Sequence, residues 1–338
     1  MLRRLLLAGS VLAAGLTLVS SVHARPYLAA HNKVMVGVAG GRTCDGYARA
    51  AGRRPAVFQF FVAWGDHFHY AYRRAADAHA DLMVHLSTYN GPGTRERATP
   101  RGIANGLYDN YVYALGREFA DHRRPVYLRL FGEMNNASNP YSAYHHNGRA
   151  RGGGHSQYWF RQAWRRVALI LKGGRAARID HHLRQLRLPA LRGRGRTART
   201  LPRAHVALQW VPMTAGSPNI PGNRPAAYWP GARYVDWVGT DFYSRFPNFD
   251  GLNRFYNARQ YRGKPFVFGE WAMWGADDPA FMRRFFNWIA AHPRVRMLAY
   301  NQGNDPKAAF RLYRYPRAAR VMRDALRSPR YTSRAPRS

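Results

Sequence analysis

Pro125-Val-Tyr-Leu-Arg-Leu-Phe-Gly-Glu133-Met-Asn135 and Lys264-Pro-Phe-Val-Phe-Gly-Glu270-Trp271 are near-identical phrases in a chain that holds only two other glutamates, Glu96 and Glu118. In each, an apolar run long enough for one strand closes on Gly-Glu followed by an amide or aromatic residue. A carboxylate at the tip of a buried strand costs desolvation energy, so two in matched settings mark one shared rim. Counting both phrases (126–133 and 265–271), eight apolar runs punctuate the chain, the others being 33–38, 56–64, 82–89, 205–213, 235–243 and 295–302. Most are continuous in Val, Phe, Leu and Tyr rather than alternating, which suits strands buried on both faces.

Helical periodicity fills several of the gaps. Ile103, Leu107, Tyr111, Leu115 and Phe119 recur every four residues and predict a helix. Trp159, Trp164, Val167 and Leu171 make a second stripe after Ser156, and Phe281, Phe285, Trp288 and Ile289 a third, opened by Asp278-Pro279. Eight strands alternating with helices predict an α/β fold, the (β/α)8 TIM barrel, as a single catalytic domain over 30–328. An open doubly wound sheet is the alternative, but no Gly-x-Gly-x-x-Gly follows a strand. In the barrel, Glu133 and Glu270 end strands four and seven at the catalytic rim. Period-two alternation then points Tyr127, Arg129 and Phe131 the same way as Glu133, with Arg129 beneath the carboxylates as a site-organising group.

The remaining segments bear on location and partners. Arg3-Arg4, an apolar stretch and Val22-His23-Ala24 form the pattern of a secretory signal peptide over 1–24, with an uncleaved anchor as the alternative. The chain is therefore expected outside the cytoplasm: secreted, periplasmic or at the cell envelope. With one cysteine, Cys44, packing rather than disulfides must hold it together. The net charge is +35, and only four of the 53 basic residues are lysine. Such a surface clings to polyanions without implying a dedicated nucleic-acid site. An Arg/Gly-rich insertion at 172–204 is expected on the lower face of the barrel, as a solvated loop or an anchoring patch, and 329–338 as a basic tail. His67, His69, His145, His146 and His155 show no metal-binding spacing, so neither metal nor other cofactor is expected. The chain is expected to be monomeric.

Two carboxylates on separate strands of one rim are what glycosidic bond cleavage needs. Aromatic faces and amides suit sugars, which nominates Trp64, Tyr89, Tyr141, Trp210, Trp271, Trp274, Asn135 and Gln302 as substrate-binding residues. Three phrases carry a specific resemblance: Arg129-Leu-Phe-Gly-Glu133-Met-Asn135, Tyr234-Val-Asp-Trp-Val-Gly-Thr-Asp-Phe-Tyr243 and Gly263-Lys-Pro-Phe-Val-Phe-Gly-Glu270. Through them the chain resembles the clan A glycoside hydrolases, and within them family 26, the mannanase and lichenase group. That resemblance implies Glu133 as acid/base, Glu270 as nucleophile and Tyr243 as the hydroxyl that holds the nucleophile. It implies a polysaccharide substrate and a retaining double displacement. Two departures stand out: Gly132 where the family usually has histidine, and Asn301-Gln302-Gly303 where many clan members end strand eight in tryptophan. A barrel that binds carbohydrate without turning it over is the second reading.

Overall fold

A computed structural model describes residues 27–122 and 124–336, so the expected leader at 1–24 lies outside the described residues. Eight parallel strands close into a barrel: β1 (Val34–Ala39), β2 (Val57–Ala63), β3 (Asp81–Ser87), β4 (Val126–Leu130), β5 (Val206–Trp210), β6 (Trp237–Tyr243), β7 (Phe266–Ala272) and β8 (Val295–Asn301). Closure is made by β8 pairing with β1, from Met35↔Met297 to Ala39↔Asn301. The fold class is the (β/α)8 barrel.

Alternation divides the strand residues between two cores. Met35, Val57, Met83, Tyr127, Ala207, Trp237, Val267 and Met297 fill the lumen. Residues between them in sequence, such as Val36, Phe58, Val84, Leu128, Leu208, Val238, Phe268 and Leu298, face outward and meet the helices. Burial on both sides is why the strands read as continuous apolar runs rather than as alternation. The polar side chains of Gln59, Arg129, Gln209 and Thr240 on these strands are also fully buried.

The Gln157–Lys172 and Pro279–Ala291 helices start where their caps predict. Ser156 accepts the Trp159 N–H, and Asp278 accepts those of Ala280 and Phe281. The 103–119 stripe instead forms two helices, Pro100–Ala104 and Asp109–Asp121. Gly106 turns left-handed between them (φ +79°) and Leu107 is exposed. The described part of the basic tail belongs to the fold. Tyr331 and Thr332 add a short parallel strand beside Val34 and Met35. At the same end, Tyr27 and Leu28 pack on the lumen core, and the Tyr127 hydroxyl donates to the Tyr27 carbonyl at 2.6 Å.

The Arg/Gly-rich insertion is ordered and is not confined to the lower face. It begins there with paired two-residue strands, Gly174–Arg175 and Thr200–Leu201. Between them it carries the Ala176–Gln185 and Gly193–Thr197 helices. Buried Arg166 ties it to the wall, bonding Asp109 (2.7 and 2.5 Å) and the carbonyls of Pro189 and Ala190 (2.7 and 3.0 Å). The Arg192 and Arg194 N–H groups donate to Asp109 and Asn110, both at 2.8 Å. Those acceptors open the Asp109–Asp121 helix, whose other end leads down into β4. The arginine run therefore lies on the outer wall toward the rim.

Candidate active site

β4 ends at Leu130, and the next three residues do not continue its alternation. Phe131 and Glu133 both take left-handed backbone, each at φ +50°, a conformation costing non-glycine residues on the order of 1–3 kcal/mol. As a result Phe131 does not share the orientation of Arg129, contrary to the strand reading. Its ring turns outward onto Trp64 and Tyr141, each 5.6 Å away between centroids. Neighbouring strands and side chains hold the turn. The Phe131 N–H donates to Leu86 O (2.9 Å) and the Glu133 N–H to Val211 O (2.7 Å). From the loop beyond, the Tyr141 hydroxyl donates to Gly132 O (2.6 Å) and the Asn139 amide to Glu133 O (2.9 Å).

Arg129 explains why both phrases read Gly-Glu. Its side chain is fully buried, with Nη1 donating to Glu270 Oε1 and Nη2 to Asp241 Oδ2. A Cβ on Gly132 would sit 2.5 Å from Arg129 Nε and 2.7 Å from Cζ. One on Gly269 would meet Val211 at 2.9 Å, and Arg129 Nε and Asp241 Oδ1 at 3.1 Å. Two glycines flank a planar guanidinium that no larger residue would leave in place. The histidine expected at position 132 by resemblance has no room here.

The Glu270 carboxylate is the centre of the network. Besides Arg129, it accepts the Tyr243 hydroxyl and the Asn301 amide on Oε2, both at 2.7 Å. Burial, then the nearby Glu270 charge, hold the Tyr243 hydroxyl well above its ordinary value, so it stays a donor. His85 Nδ1 lies 3.8 Å from Oε1, but burial and then Arg129 push the imidazole well below its usual range. It therefore faces the carboxylate neutral. Glu133 receives an amide hydrogen from Asn136 at 2.9 Å. Its carboxyl is raised, chiefly by burial and then by the Glu270 charge.

Asp241 is a third carboxyl that the sequence reading passed over. It accepts the Glu270 N–H at 2.8 Å, pairs with Arg129 and interacts directly with Glu133. Burial first, then Glu270, raise it well above the usual range against the pull of Arg129. The missed signal was an acid inside an apolar strand two residues before Tyr243. Asn301, at the tip of β8, was equally visible as an amide closing an apolar strand.

Of the eight residues nominated for sugar contact, two lie beside the carboxylates. Half-buried Tyr89 donates to Asn139 at 3.0 Å, and its hydroxyl is raised by burial and then by Glu133 and Glu270. Trp274 stands 5.8 Å from the Tyr243 ring, with exposed Phe246 at 5.6 Å and Arg245 over its face at 5.0 Å. The other six are interior, which corrects their assignment. Trp64, Trp210 and Trp271 are at most 2% exposed and pack in the outer core, the last stacked on Phe285 at 4.4 Å. Tyr141 supports the Gly132 turn. Asn135 spends its amide on the Met213 backbone (3.0 and 2.9 Å), and Gln302 donates to the Gly40 and Thr43 carbonyls. Among the described residues, no three His, Cys, Asp or Glu side chains are grouped to hold a metal ion.

No family model matches the sequence, and no curated protein matches it. Solved structures do match in fold. An endo-β-1,4-mannanase double mutant from Cellulomonas fimi superposes with a TM-score of 0.57 at 15% identity, over 92% of this chain and 75% of that one. A GH26 β-mannanase from Bacteroides ovatus gives 0.54 at 13% identity, over 89% and 90%. A GH26 protein from a Muricauda species gives 0.53 at 14%, over 89% and 91%. What this chain has in common with these structures is its fold, a (β/α)8 barrel.

Proposed function

We propose that this chain is an exported, retaining β-glycoside hydrolase, endo-acting on an extracellular or cell-envelope polysaccharide. One observation carries the reading: two glutamates at the tips of β4 and β7 have opposite surroundings. Glu270 is held by a guanidinium, a phenol and an amide, all hydrogen-bond donors to its oxygens. The Glu133 carboxyl is raised by burial and by a like charge, which favours the acid. A carboxylate held by three donors beside a carboxyl raised toward its acid form can divide the labour of glycoside cleavage.

In the first step, Glu270 attacks the anomeric carbon while Glu133 protonates the departing glycosidic oxygen. The bond from carbon to that oxygen breaks as the glycosyl ester forms. Water then enters on the vacated side and gives its proton to Glu133 as its oxygen bonds to the anomeric carbon. Glu270 leaves as the carboxylate and Glu133 is again an acid. Tyr89 and Trp274 are the aromatic surfaces beside this centre, and no step calls for a metal or other cofactor. The Cellulomonas and Bacteroides structures are described as mannanases, which supports a neutral β-linked mannan or glucan backbone.

A panel of polysaccharides read by reducing-end release tests the proposal, with NMR of the first-formed anomer deciding retention. Glu133→Ala and Glu270→Ala should each lower turnover by about three orders of magnitude or more while remaining folded. Wild-type-like activity in either variant sinks the mechanism. Binding of a polysaccharide without product on any polymer would favour the carbohydrate-binding reading instead.

A further inference from the structure

Asn301 closes β8 beside β1 and is 6% exposed, yet its carboxamide meets the residue assigned as nucleophile rather than open cleft. Its oxygen accepts the Gly303 N–H at 2.8 Å. A backbone N–H can only donate, so this bond fixes which way the amide faces. The nitrogen is thereby turned inward, 2.7 Å from Glu270 Oε2 and 2.9 Å from the Tyr243 hydroxyl oxygen. Tyr243 passes its own hydrogen to the same Oε2 at 2.7 Å. The three groups form a closed triangle, in which the inward amide hydrogen is shared between Glu270 Oε2 and the Tyr243 oxygen. Next in the chain, Gln302 is tied to the Gly40 and Thr43 carbonyls at 2.7 and 2.9 Å, so the strand tip that carries Asn301 cannot drift.

We infer that Asn301 is a positioning residue for Glu270, one that dictates which carboxylate oxygen attacks. A carboxylate oxygen has two lone pairs, and Oε2 spends both on Tyr243 and Asn301. Among the described residues Oε1 accepts one hydrogen bond, from Arg129, with His85 Nδ1 3.8 Å away and beyond hydrogen-bond reach, so a lone pair stays free. The triangle stops the carboxylate from turning about its last bond, so Oε1 is the oxygen presented to the sugar. Because the amide is neutral, it orients the nucleophile without adding a second positive charge to that of Arg129. The inference rests on the hydrolase reading for what the positioning serves, whereas the contact itself can be tested without substrate.

The test is a swap. Asn301→Asp sets a carboxylate against Glu270, and Glu270→Gln removes a charge that Arg129 compensates; each should lower the melting temperature by at least about 2–4 °C. In the double variant the new glutamine amide can donate to the new aspartate, so the pair is rebuilt with its polarity reversed. A double variant that melts above the sum of the two losses is the expected result. Additive losses would overturn the contact, whether or not the protein hydrolyses anything. The second arm is kinetic: Asn301→Ala should lower kcat about 10- to 100-fold and leave KM within about threefold. Should Asn301→Ala fail to fold, Asn301→Ser takes its place in this arm. An unchanged kcat in a folded variant, with the swap succeeding, would show a structural contact and overturn the positioning role. If wild-type protein cleaves no polysaccharide while the swap succeeds, the hydrolase reading fails, the positioning role falls with it, and the triangle stands.

Discussion

Three carboxyl groups, Glu133, Asp241 and Glu270, share one guanidinium, so full ionisation would leave two uncompensated charges in a confined space. Burial raises both Glu133 and Asp241, and the Glu270 charge adds to it in each, so the interacting pair gives up its protons at higher pH than free carboxyls do. For Glu133 the sign follows from burial and the Glu270 charge. Its folded-state value lies above the unfolded one, so its contribution to stability is fully present below the ordinary carboxylate range. That contribution is lost as the pH rises through the raised value. Glu133→Gln keeps the shape and cannot ionise. The variant should melt close to wild type at pH 4 and about 2–4 °C above it at pH 8. Melting curves at the two pH values check this, and a difference that does not grow with pH would place the carboxyl in solvent. At this scale the matched phrases pointed to Glu133, Glu270 and Arg129, the family resemblance to Tyr243, and Arg129 and Tyr243 both meet Glu270. It concealed which face an aromatic near a strand end presents. Trp64, Trp210 and Trp271 lie close to rim positions in sequence and point into the helix layer.

At the scale of the element, the decisive structure is the turn from Phe131 to Glu133. Strand alternation aims Arg129 into the lumen, and the left-handed turn then brings the acid over it. The expectation that one orientation ran from Tyr127 to Glu133 failed because positive φ at two non-glycine residues is invisible in a β-forming run. Strand positions were easier to read, since continuous apolar runs are what burial on both faces demands. Gly132 is the point where turn and guanidinium meet. Gly132→Ala would press a methyl group against Arg129 Nε and Cζ, which are buried and tied to two carboxylates. The expected result is a loss of about 1–3 kcal/mol in denaturant unfolding and at least about a tenfold drop in turnover. Gly46→Ala is the control. It lies in the Asp45–Ala51 helix with nothing within 4 Å of an added Cβ, and it should gain about 0.5–1 kcal/mol. Equal effects at the two glycines would mean that Arg129 yields without cost.

For the whole molecule, the question is how a chain of net charge +35 keeps its positive potential from deciding what enters the cleft. Within the site the one guanidinium beneath the carboxylates, Arg129, is spent on Asp241 and Glu270. Arg245 lies over the Trp274 face at the rim, and elsewhere the charge is distributed over the walls. Arg192, Arg194 and Arg196 are exposed, and their guanidinium groups make no ion pair among the described residues. The lower-face placement expected from sequence followed the order of elements alone. Buried Arg166 draws the connection back along the Asp109–Asp121 helix, a tertiary contact that composition does not announce. That position still separates adhesion from chemistry, because the run is outside the helix layer and the carboxylates are inside the strands. Replacing all three arginines by glutamine preserves the backbone bonds of positions 192 and 194 to Asp109 and Asn110, which deletion would break. The triple variant should leave a polyanionic resin at lower salt than wild type, as removal of exposed charges requires. Its cleavage of a soluble neutral oligosaccharide should stay within about twofold, because charges outside the helix layer are screened over about 8 Å at physiological salt. Both measurements belong on one preparation. Lost cleavage in a folded triple variant, or activity confined to uronic-acid polymers, would mean that the outer charge does reach the substrate and that the neutral backbone is the wrong one.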